Sequence, residues 1–189
     1  MNLLHRRYCR SGAWARAVET RVVPPVVDGV ELGGEVLEIG PGPGRTTDVL
    51  RHRVARLTAL EIDARLAGAL GARLRGGNVA VVRGDGTALP FPDAAFTGAV
   101  CFTMLHHVPS AELQDRLLAE VCRVLRPGGV LAGSDSLGDS LAFHLFHVLD
   151  TMVLIDPASL PDRLRRAGFT DVLVERGRQL RFRARRPLH

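Results

Sequence analysis

A glycine-rich turn early in the chain restricts the fold more than any other feature of the sequence. Residues 36–44 read VLEIGPGPG, a short apolar strand that passes into three alternating glycines. Because Gly40, Gly42 and Gly44 lack a Cβ, a ligand can lie against the bare backbone. The prolines between them stiffen the turn without needing an N–H. A strand, a glycine turn and a helix in this order are typical of the ligand crevice in a doubly wound α/β sheet.

The rest of the chain continues the alternation of strands and helices. Apolar strands are expected at residues 36–39, 57–62, 79–82, 96–104 and 130–134, and helices at 46–53 and after Asp63, Ser110 and Ser159. Such alternation predicts a parallel sheet covered on both faces. The last two strands, 171–175 and 179–185, are joined too tightly for a crossover, so one must run antiparallel. The predicted fold class is α/β: a three-layer, doubly wound Rossmann-like sheet, mostly parallel, with one antiparallel strand near the C-terminus.

The sequence indicates one domain over residues 1–189. Residues 1–30 are expected to form an N-terminal helix (3–20) and then a linker or short extended segment (22–30). Pro127-Gly128-Gly129 predicts a turn into the fifth strand. No stretch approaches the ~20 apolar residues of a membrane span. Residues 1–20 also lack the apolar centre of a signal peptide, so we expect a cytoplasmic protein.

Charge and cysteine content argue against a nucleic-acid partner and a metal site. The formal net charge is only +5, and all 25 positions counted as Lys or Arg are arginine. This replacement of lysine, with abundant alanine and glycine, points to a genome-wide compositional bias. The three cysteines (Cys9, Cys101 and Cys122) are scattered and form no Cys-x-x-Cys or Cys/His spacing.

The residues around the glycine turn argue against a dinucleotide. A dinucleotide fingerprint has a third glycine where this chain has Arg45. The carboxylate of Glu38, at the end of the first strand, would repel a pyrophosphate but favour a cationic ligand. The alternative is a purely structural role, in which Glu38 only interacts with the terminus of the next helix.

Two further carboxylates follow the second and third strands. Glu61 can accept both hydroxyls of a ribose, and Asp85 can accept a hydrogen bond from an adenine amino group. All three acids fall at the carboxyl ends of parallel strands, where such sheets bind ligands. A ligand with a ribose, an adenine and a positive charge, but no phosphate, is S-adenosylmethionine. Each acid taken singly also has an explanation without a ligand. Glu61 could equally be a surface acid, and Asp85 could equally be a residue that forms a turn.

At this point the chain resembles the class I S-adenosylmethionine-dependent methyltransferases, and most closely the small-molecule branch of ubiquinone and menaquinone biosynthesis. The matching segments, in the family's order, are VLEIGPGPG (36–44), LEID (60–63), GDGTALPFPDAAF (84–96), TMLHHV (103–108) and EVCRVLRPGGVL (120–131). One departure is Thr97, where the family usually has Asp.

The resemblance implies roles for individual residues. Glu38, Gly40 and Gly42 would line the methionine end of the cofactor, together with the rest of the turn, Pro41 and Gly44. Glu61 would bind the ribose. Asp85 and Gly86 would lie near the adenine, and Ile62 would pack on its face.

Methyl transfer needs a general base only when the acceptor arrives protonated. His106 and His107, just after the fourth strand, are the candidates, although either equally serves as a partner for a loop. The apolar segment 137–155, with His144 and His147, and Asp135 are candidates for the acceptor side. The family often closes an amino-terminal helix over the cofactor, which would involve His5, Tyr8 and Trp14 as a lid.

Two alternatives to a small-molecule methyltransferase stay open. The first is an RNA methyltransferase, since the first two motifs also resemble ribosomal-RNA adenine dimethylases. Residues 101–104 (Cys-Phe-Thr-Met) lack the Asn-X-Pro-aromatic motif of those enzymes. The second is a protein that binds the cofactor without turnover. The arginine-rich strand 176–186 is interpreted as a solvated or edge-protecting strand, or as a contact for an anionic acceptor. The sequence leaves the oligomeric state open.

Overall fold

The computed structural model describes residue 7 and residues 11–138 and 152–189. The strands are β1 (Glu35–Ile39), β2 (Arg56–Glu61), β3 (Val79–Arg83), β4 (Phe96–Phe102), β5 (Leu125–Asp135), β6 (Thr170–Arg176) and β7 (Leu180–Arg185). The helices are α1 (Gly12–Ala17), α2 (Pro24–Val27), α3 (Arg45–Leu50), α4 (Ala64–Arg73), α5 (Ala111–Val124) and α6 (Leu160–Arg166), with a π-helical turn at Val18–Val22 and a 3-10 helix at Leu105–His107.

The strands form one seven-stranded sheet in the order β3-β2-β1-β4-β5-β7-β6. The pairs β1–β2, β1–β4, β2–β3 and β4–β5 are parallel, whereas β7 is antiparallel to both β5 and β6. The fold class is therefore confirmed, including the single antiparallel strand near the C-terminus.

Alternating side chains of the strands feed two separate cores, one on each face of the sheet. Leu37 of β1 and Leu131 of β5 pack with α5 and α6. Val36 and Val100, one pleat away, pack with the π-helical turn, α2 and α3. A smaller cluster joins α4 to β2 and β3 through Leu70. Helices on both faces leave only the strand ends open to a ligand.

Local chemistry explains where the helices begin. Asp63 accepts hydrogen bonds from the N–H groups of Arg65 and Leu66 at the start of α4. Ser110 likewise accepts from Leu113 N at the start of α5. The predicted caps of Asp63 and Ser110 are confirmed. The predicted cap of Ser159 is wrong, because its hydroxyl donates to Asp156 O at 3.2 Å and caps no N–H of α6.

Several boundaries differ from the expectations, among them the helix expected at 46–53, which is Arg45–Leu50. Residues 24–27 are helical rather than extended, with Pro24 at the first helical position where its missing N–H costs nothing. β5 begins at Leu125, and the predicted turn at 127–129 is instead an irregularity within that strand, where pairing jumps between Phe96 and Gly98. β4 ends at Phe102 because Thr103 has a positive φ of 50°.

The arginine-rich C-terminal strand has the predicted alternation. Leu180, Phe182 and Ala184 of β7 are buried. Of the intervening arginines, Arg181 pairs with Glu175 at 3.0 Å and Arg185 lies 3.8 Å from Asp171. The neighbouring strand β6 thus supplies carboxylates to this charged face.

Thr97, the departure from the family pattern, lies at the amino end of β4. Its hydroxyl lies 2.8 Å from Leu32 O and 2.9 Å from Glu35 O, and it accepts a hydrogen bond from Glu35 N. Thr97 therefore secures the entry to β1, at the sheet edge opposite the glycine turn.

Within the part of the chain that the structure describes, no helix has the length and apolar character needed to cross a membrane.

Candidate functional site

Each glycine of the turn is explained by a different structural environment. All have positive φ, at 66° for Gly40, 55° for Gly42 and 84° for Gly44. A Cβ at Gly44 would lie 2.3 Å from Leu70 of α4, and one at Gly40 would lie 3.1 Å from Met104. A Cβ at Gly42 would meet nothing within 4 Å. Only Gly42 therefore offers an open backbone face, whereas the other two allow close packing.

Arg73, a residue that the sequence reasoning missed, supports the turn from α4. Its guanidinium donates to Asp48 Oδ1 at 2.5 Å and to the carbonyl oxygens of Pro43 and Gly44 at 3.4 and 3.3 Å. Thirty positions separate Arg73 from Pro43, and no local pattern links the two residues.

Glu61 joins the glycine turn to the end of β2. Glu61 is only 5% exposed. Oε2 accepts a hydrogen bond from Gly42 N and Oε1 accepts one from Asp63 N, each at 2.9 Å. A carboxylate has about four acceptor positions, so each oxygen keeps capacity for another donor. The alternative that Glu61 is a surface acid is wrong.

Glu38 is buried, with 1% of its surface exposed. Thr46 Oγ1 donates to Oε1, and Thr47 Oγ1 donates to Oε2 at 2.6 Å. Burial raises the pKa of Glu38 from 4.5 to about 7, against the two hydroxyl hydrogen bonds; nearby Asp48 and Glu61 raise it further. The interpretation of Glu38 as a partner for the terminus of α3 is thus correct, and it does not conflict with a ligand-facing role.

Asp85 lies in the exposed loop after β3, beside β2. Gly84 N donates to Glu61 O at 3.1 Å. Asp85 Oδ1 accepts from the N–H and the hydroxyl of Thr87 at 2.8 and 2.9 Å, so Asp85 does form the turn. A Cβ at Gly86 would lie 2.9 Å from Leu117, which explains this glycine by core packing.

The other predicted turn and adenine residues flank this edge. Pro41 is buried in the turn, and its carbonyl accepts a hydrogen bond from Gly44 N at 2.9 Å. Ile62 directly follows β2 and is 65% exposed. An exposed isoleucine beside the glycine turn offers an apolar surface to a flat ligand.

The two histidines occupy different environments in the 3-10 helix after β4. His106 is 2% exposed. Its ring nitrogen Nδ1 contacts Asp135 Oδ1, and its backbone N–H donates to Asp135 Oδ2 at 3.3 Å. His107 is half-buried, with its ring centroid 4.2 Å from that of His106. Asp135 is fully buried and also accepts from Ser136 N at 2.6 Å. Asp135 therefore orients His106.

A buried glutamine fixes this histidine helix against the segment that resumes at residue 152. Gln114 of α5 donates to Leu105 O at 3.1 Å and to Val153 O at 2.8 Å. Val153 N donates to His106 O at 2.9 Å, and Arg163 of α6 donates to Gln114 Oε1 at 2.9 Å. The carboxyl edge of β4 is therefore rigidly held.

Several expectations fall on residues outside the described ranges: those for His5, Tyr8, His144 and His147. Trp14 is described and packs against the buried valine cluster next to α1. Among the described residues, no group of three or more His, Cys, Asp or Glu side chains could hold a metal ion.

Sequence comparison identifies the family. The sequence profile described as a methyltransferase domain matches residues 37–133, from within β1 to within β5. The chain belongs to the methyltransferase domain family. The predicted family is confirmed, and so is S-adenosylmethionine as the cofactor of that family.

Curated relatives of this methyltransferase domain are about 30–40% identical to it over the residues that align. A Mycolicibacterium smegmatis protein named as a probable S-adenosylmethionine-dependent methyltransferase is 32% identical over 143 residues, which are 72% of this chain and 52% of that protein. Demethylmenaquinone methyltransferase of Tropheryma whipplei is 31% identical over 54% of this chain and 42% of its own length. Ribosomal RNA small subunit methyltransferase A of Geobacter metallireducens is 39% identical over only 36% of this chain and 26% of its own length.

The chain thus spans about half the length, or less, of these curated relatives. Among solved structures, Haemonchus contortus phosphoethanolamine N-methyltransferase 2 in complex with S-adenosyl-L-methionine superimposes with a TM-score of 0.74 at 14% identity, covering 94% of this chain and 53% of that chain. At this identity the likeness shows the shared fold.

We predict that, without ligand, the Glu38→Gln variant becomes more stable relative to the wild type as the pH rises. A folded-state pKa of about 7, above the ordinary 4.5, means that the stability Glu38 contributes below pH 4.5 is lost as the pH rises through 7. The loss approaches about 3 kcal/mol. The free energy of unfolding of the variant, relative to that of the wild type, should therefore increase by about 2–3 kcal/mol between pH 5 and pH 8. Urea unfolding at both pH values measures this difference.

Glu35→Gln is the matched control for that measurement. Glu35 lies in the same strand, and its hydrogen bond to Arg56 lowers its pKa, so this variant should show no such gain. A Glu38→Gln variant whose difference from the wild type is the same at both pH values would contradict the assignment.

Proposed function

We propose that this protein is an S-adenosylmethionine-dependent methyltransferase that acts on a small-molecule acceptor by in-line methyl transfer. The observation that carries the proposal is the hydrogen bond from Gly42 N to Glu61 Oε2. It lies at the edge where the parallel strands carrying or preceding Glu38, Glu61 and Asp85 run side by side, and Gly42 leaves open space there. Family membership supports the reaction class.

The residues at this edge fit the cofactor in shape and charge. Gly42 leaves open space above its backbone, which a side chain at this position would occupy. We assign the methionine end to Glu38, Gly40 and Gly42, because a buried carboxylate favours a cationic group and disfavours a phosphate. The remaining turn residues, Pro41 and Gly44, support this end.

The ribose and adenine fall to the neighbouring strand ends. Each oxygen of Glu61 has acceptor capacity beyond its backbone partner, which suits the two ribose hydroxyls. Asp85 and Gly86 lie in the next loop, where the adenine amino group would be read. The exposed face of Ile62 would cover the ring.

S-adenosylmethionine supplies an electrophilic methyl group on a sulfonium, and the protein contributes alignment and a dry surrounding. The rigid edge around β4, held by Gln114, suits the alignment of an acceptor. For an acceptor that arrives protonated, we propose His106 or His107 as the general base. The contact between Asp135 and Nδ1 of His106 follows the pattern of a base held by a carboxylate.

A small-molecule acceptor is favoured over RNA by the chain that follows β4. Residues 101–104 lack the Asn and Pro expected of base-amino methyltransferases, and the similarity to the ribosomal RNA enzyme covers 36% of this chain. The similarity to demethylmenaquinone methyltransferase extends further, over 54%. The cytoplasmic location and the lid role of Trp14 stay predictions.

The experiment that tests the proposal is a methyl-transfer screen with labelled S-adenosylmethionine against small-molecule and RNA fractions. We expect label in the small-molecule fraction. Label in RNA alone would favour the second candidate. Calorimetric binding without label in any fraction would favour a non-catalytic binding protein, and no binding of either S-adenosylmethionine or S-adenosylhomocysteine would overturn the proposal.

We predict that Glu61→Ala weakens cofactor binding by at least about 10- to 100-fold, the effect of losing a single hydrogen bond to a charged group, worth about 1.5–3 kcal/mol. Because Glu61 also holds the turn, S-adenosylhomocysteine should be compared with its 2′,3′-dideoxy analogue by calorimetry. The wild type should prefer the ligand with hydroxyls, and the variant should lose that preference. An equal loss of affinity for both ligands would limit Glu61 to a structural role.

We predict that one of the variants His106→Asn and His107→Asn loses turnover by about 10²–10⁴-fold, the usual contribution of a general base. Cofactor affinity should be retained, since neither side chain is assigned to the cofactor. Turnover is measured with the fraction labelled in the screen. Wild-type turnover in both variants would remove the histidine base from the mechanism.

A further inference from the structure

The carboxylate below the glycine turn is held by two hydroxyls from a single helical turn. Thr46 and Thr47 lie in the first turn of α3, directly after Arg45, and each donates to a different oxygen of Glu38. Thr46 is 8% exposed and Thr47 is fully buried. Both oxygens are thus fixed in direction, and bulk water does not solvate the charge.

The groups around Glu38 make its negative charge costly. Asp48 of α3 and Glu61 of β2 both disfavour ionisation of Glu38. From β4, the residue paired with Glu38 is the apolar Val100. The N-terminal elements pack on this face through the buried Val18 and Val22. The cation Arg73 is paired with Asp48.

A cation arriving over Gly42 would change this balance. Positive charge near a buried carboxylate favours its ionised form, so binding and loss of a proton are linked. We propose that Thr46 and Thr47 are positioning residues that poise Glu38 to release a proton to solvent when the cationic cofactor binds, so that cofactor affinity rises with pH towards neutrality. This inference rests on the proposed function and adds a proton-linked control of the same site.

The direction of the effect follows from the ligand-free state. With a pKa of about 7, Glu38 is mostly protonated below that pH. Binding must then displace the proton, which weakens apparent affinity as the pH falls. Each threonine hydroxyl lowers the pKa of Glu38, so losing one would move the whole dependence to higher pH.

The test is calorimetric titration of the intact protein with S-adenosylmethionine at pH 5.5 and 6.5. The α-amino group of the ligand, with an ordinary pKa of about 7.7–8.0, stays protonated in this range. We expect affinity about eightfold weaker at pH 5.5 than at pH 6.5. Repeating the titration at pH 5.5 in buffers of different ionisation enthalpy should reveal the release of about one proton per ligand bound.

Variants assign this effect to particular groups. Glu38→Gln should bind with an affinity that hardly changes between the two pH values. Thr46→Val and Thr47→Val, titrated also at pH 7.5, should still gain affinity about as steeply between pH 6.5 and 7.5 as between pH 5.5 and 6.5, whereas the affinity of the wild type levels off there. Thr46→Ser and Thr47→Ser, which keep the hydroxyl, should show the wild-type dependence. Thr97→Val is the matched control, because it removes a hydroxyl from the opposite edge of the sheet and should not move the dependence.

The outcomes separate the inference from the proposed function. Failure to bind S-adenosylmethionine at any pH would overturn the proposed function. Wild-type binding that is equally tight at both pH values, or a dependence that survives in Glu38→Gln, would overturn this inference alone. If the valine variants do not fold, the wild-type proton release and the Glu38→Gln comparison still decide the matter.

Discussion

Parallel pairing of β1 between β2 and β4 is the constraint on which the rest of the structure depends. Ile39 lies opposite Leu60 on one side and Cys101 on the other, so the three strands end side by side. The residues that follow each strand are therefore brought to one edge. The glycine turn, the carboxylate of Glu61 and the histidine helix are neighbours for this reason.

The glycine turn and Glu61 stabilise each other. Glu61 accepts a hydrogen bond from the N–H of Gly42, and this bond fixes the glycine turn. The same bond holds the carboxylate of Glu61 beside the bare backbone of the turn. Glu38 shows the opposite balance. Its burial raises its pKa and makes its charge costly to the ligand-free fold. A local cost of this kind is common at functional sites, where the ligand offsets it.

A third buried carboxylate organises the edge of the sheet after β4 and β5. Asp135 ends β5 and reaches the ring of His106 after β4, and Gln114 ties the same helix to Val153. The sequence places Asp135 and His106 at the ends of adjacent strands, but it does not show that they touch. That contact distinguishes His106, buried and oriented, from His107, which is half-buried.

The sequence by itself determined the fold class, the single antiparallel strand and the three acids at strand ends, because strand–helix periodicity and glycine turns are local signals. It misjudged residues 22–30 and the start of β5, where packing overrides local propensity. Only the tertiary structure decided that Gly42 is the one of the three turn glycines that faces open space, that Arg73 contacts the turn, and that Thr46 and Thr47 hold Glu38. These facts depend on contacts between side chains distant in sequence or on the direction of a helix face, which no short pattern encodes.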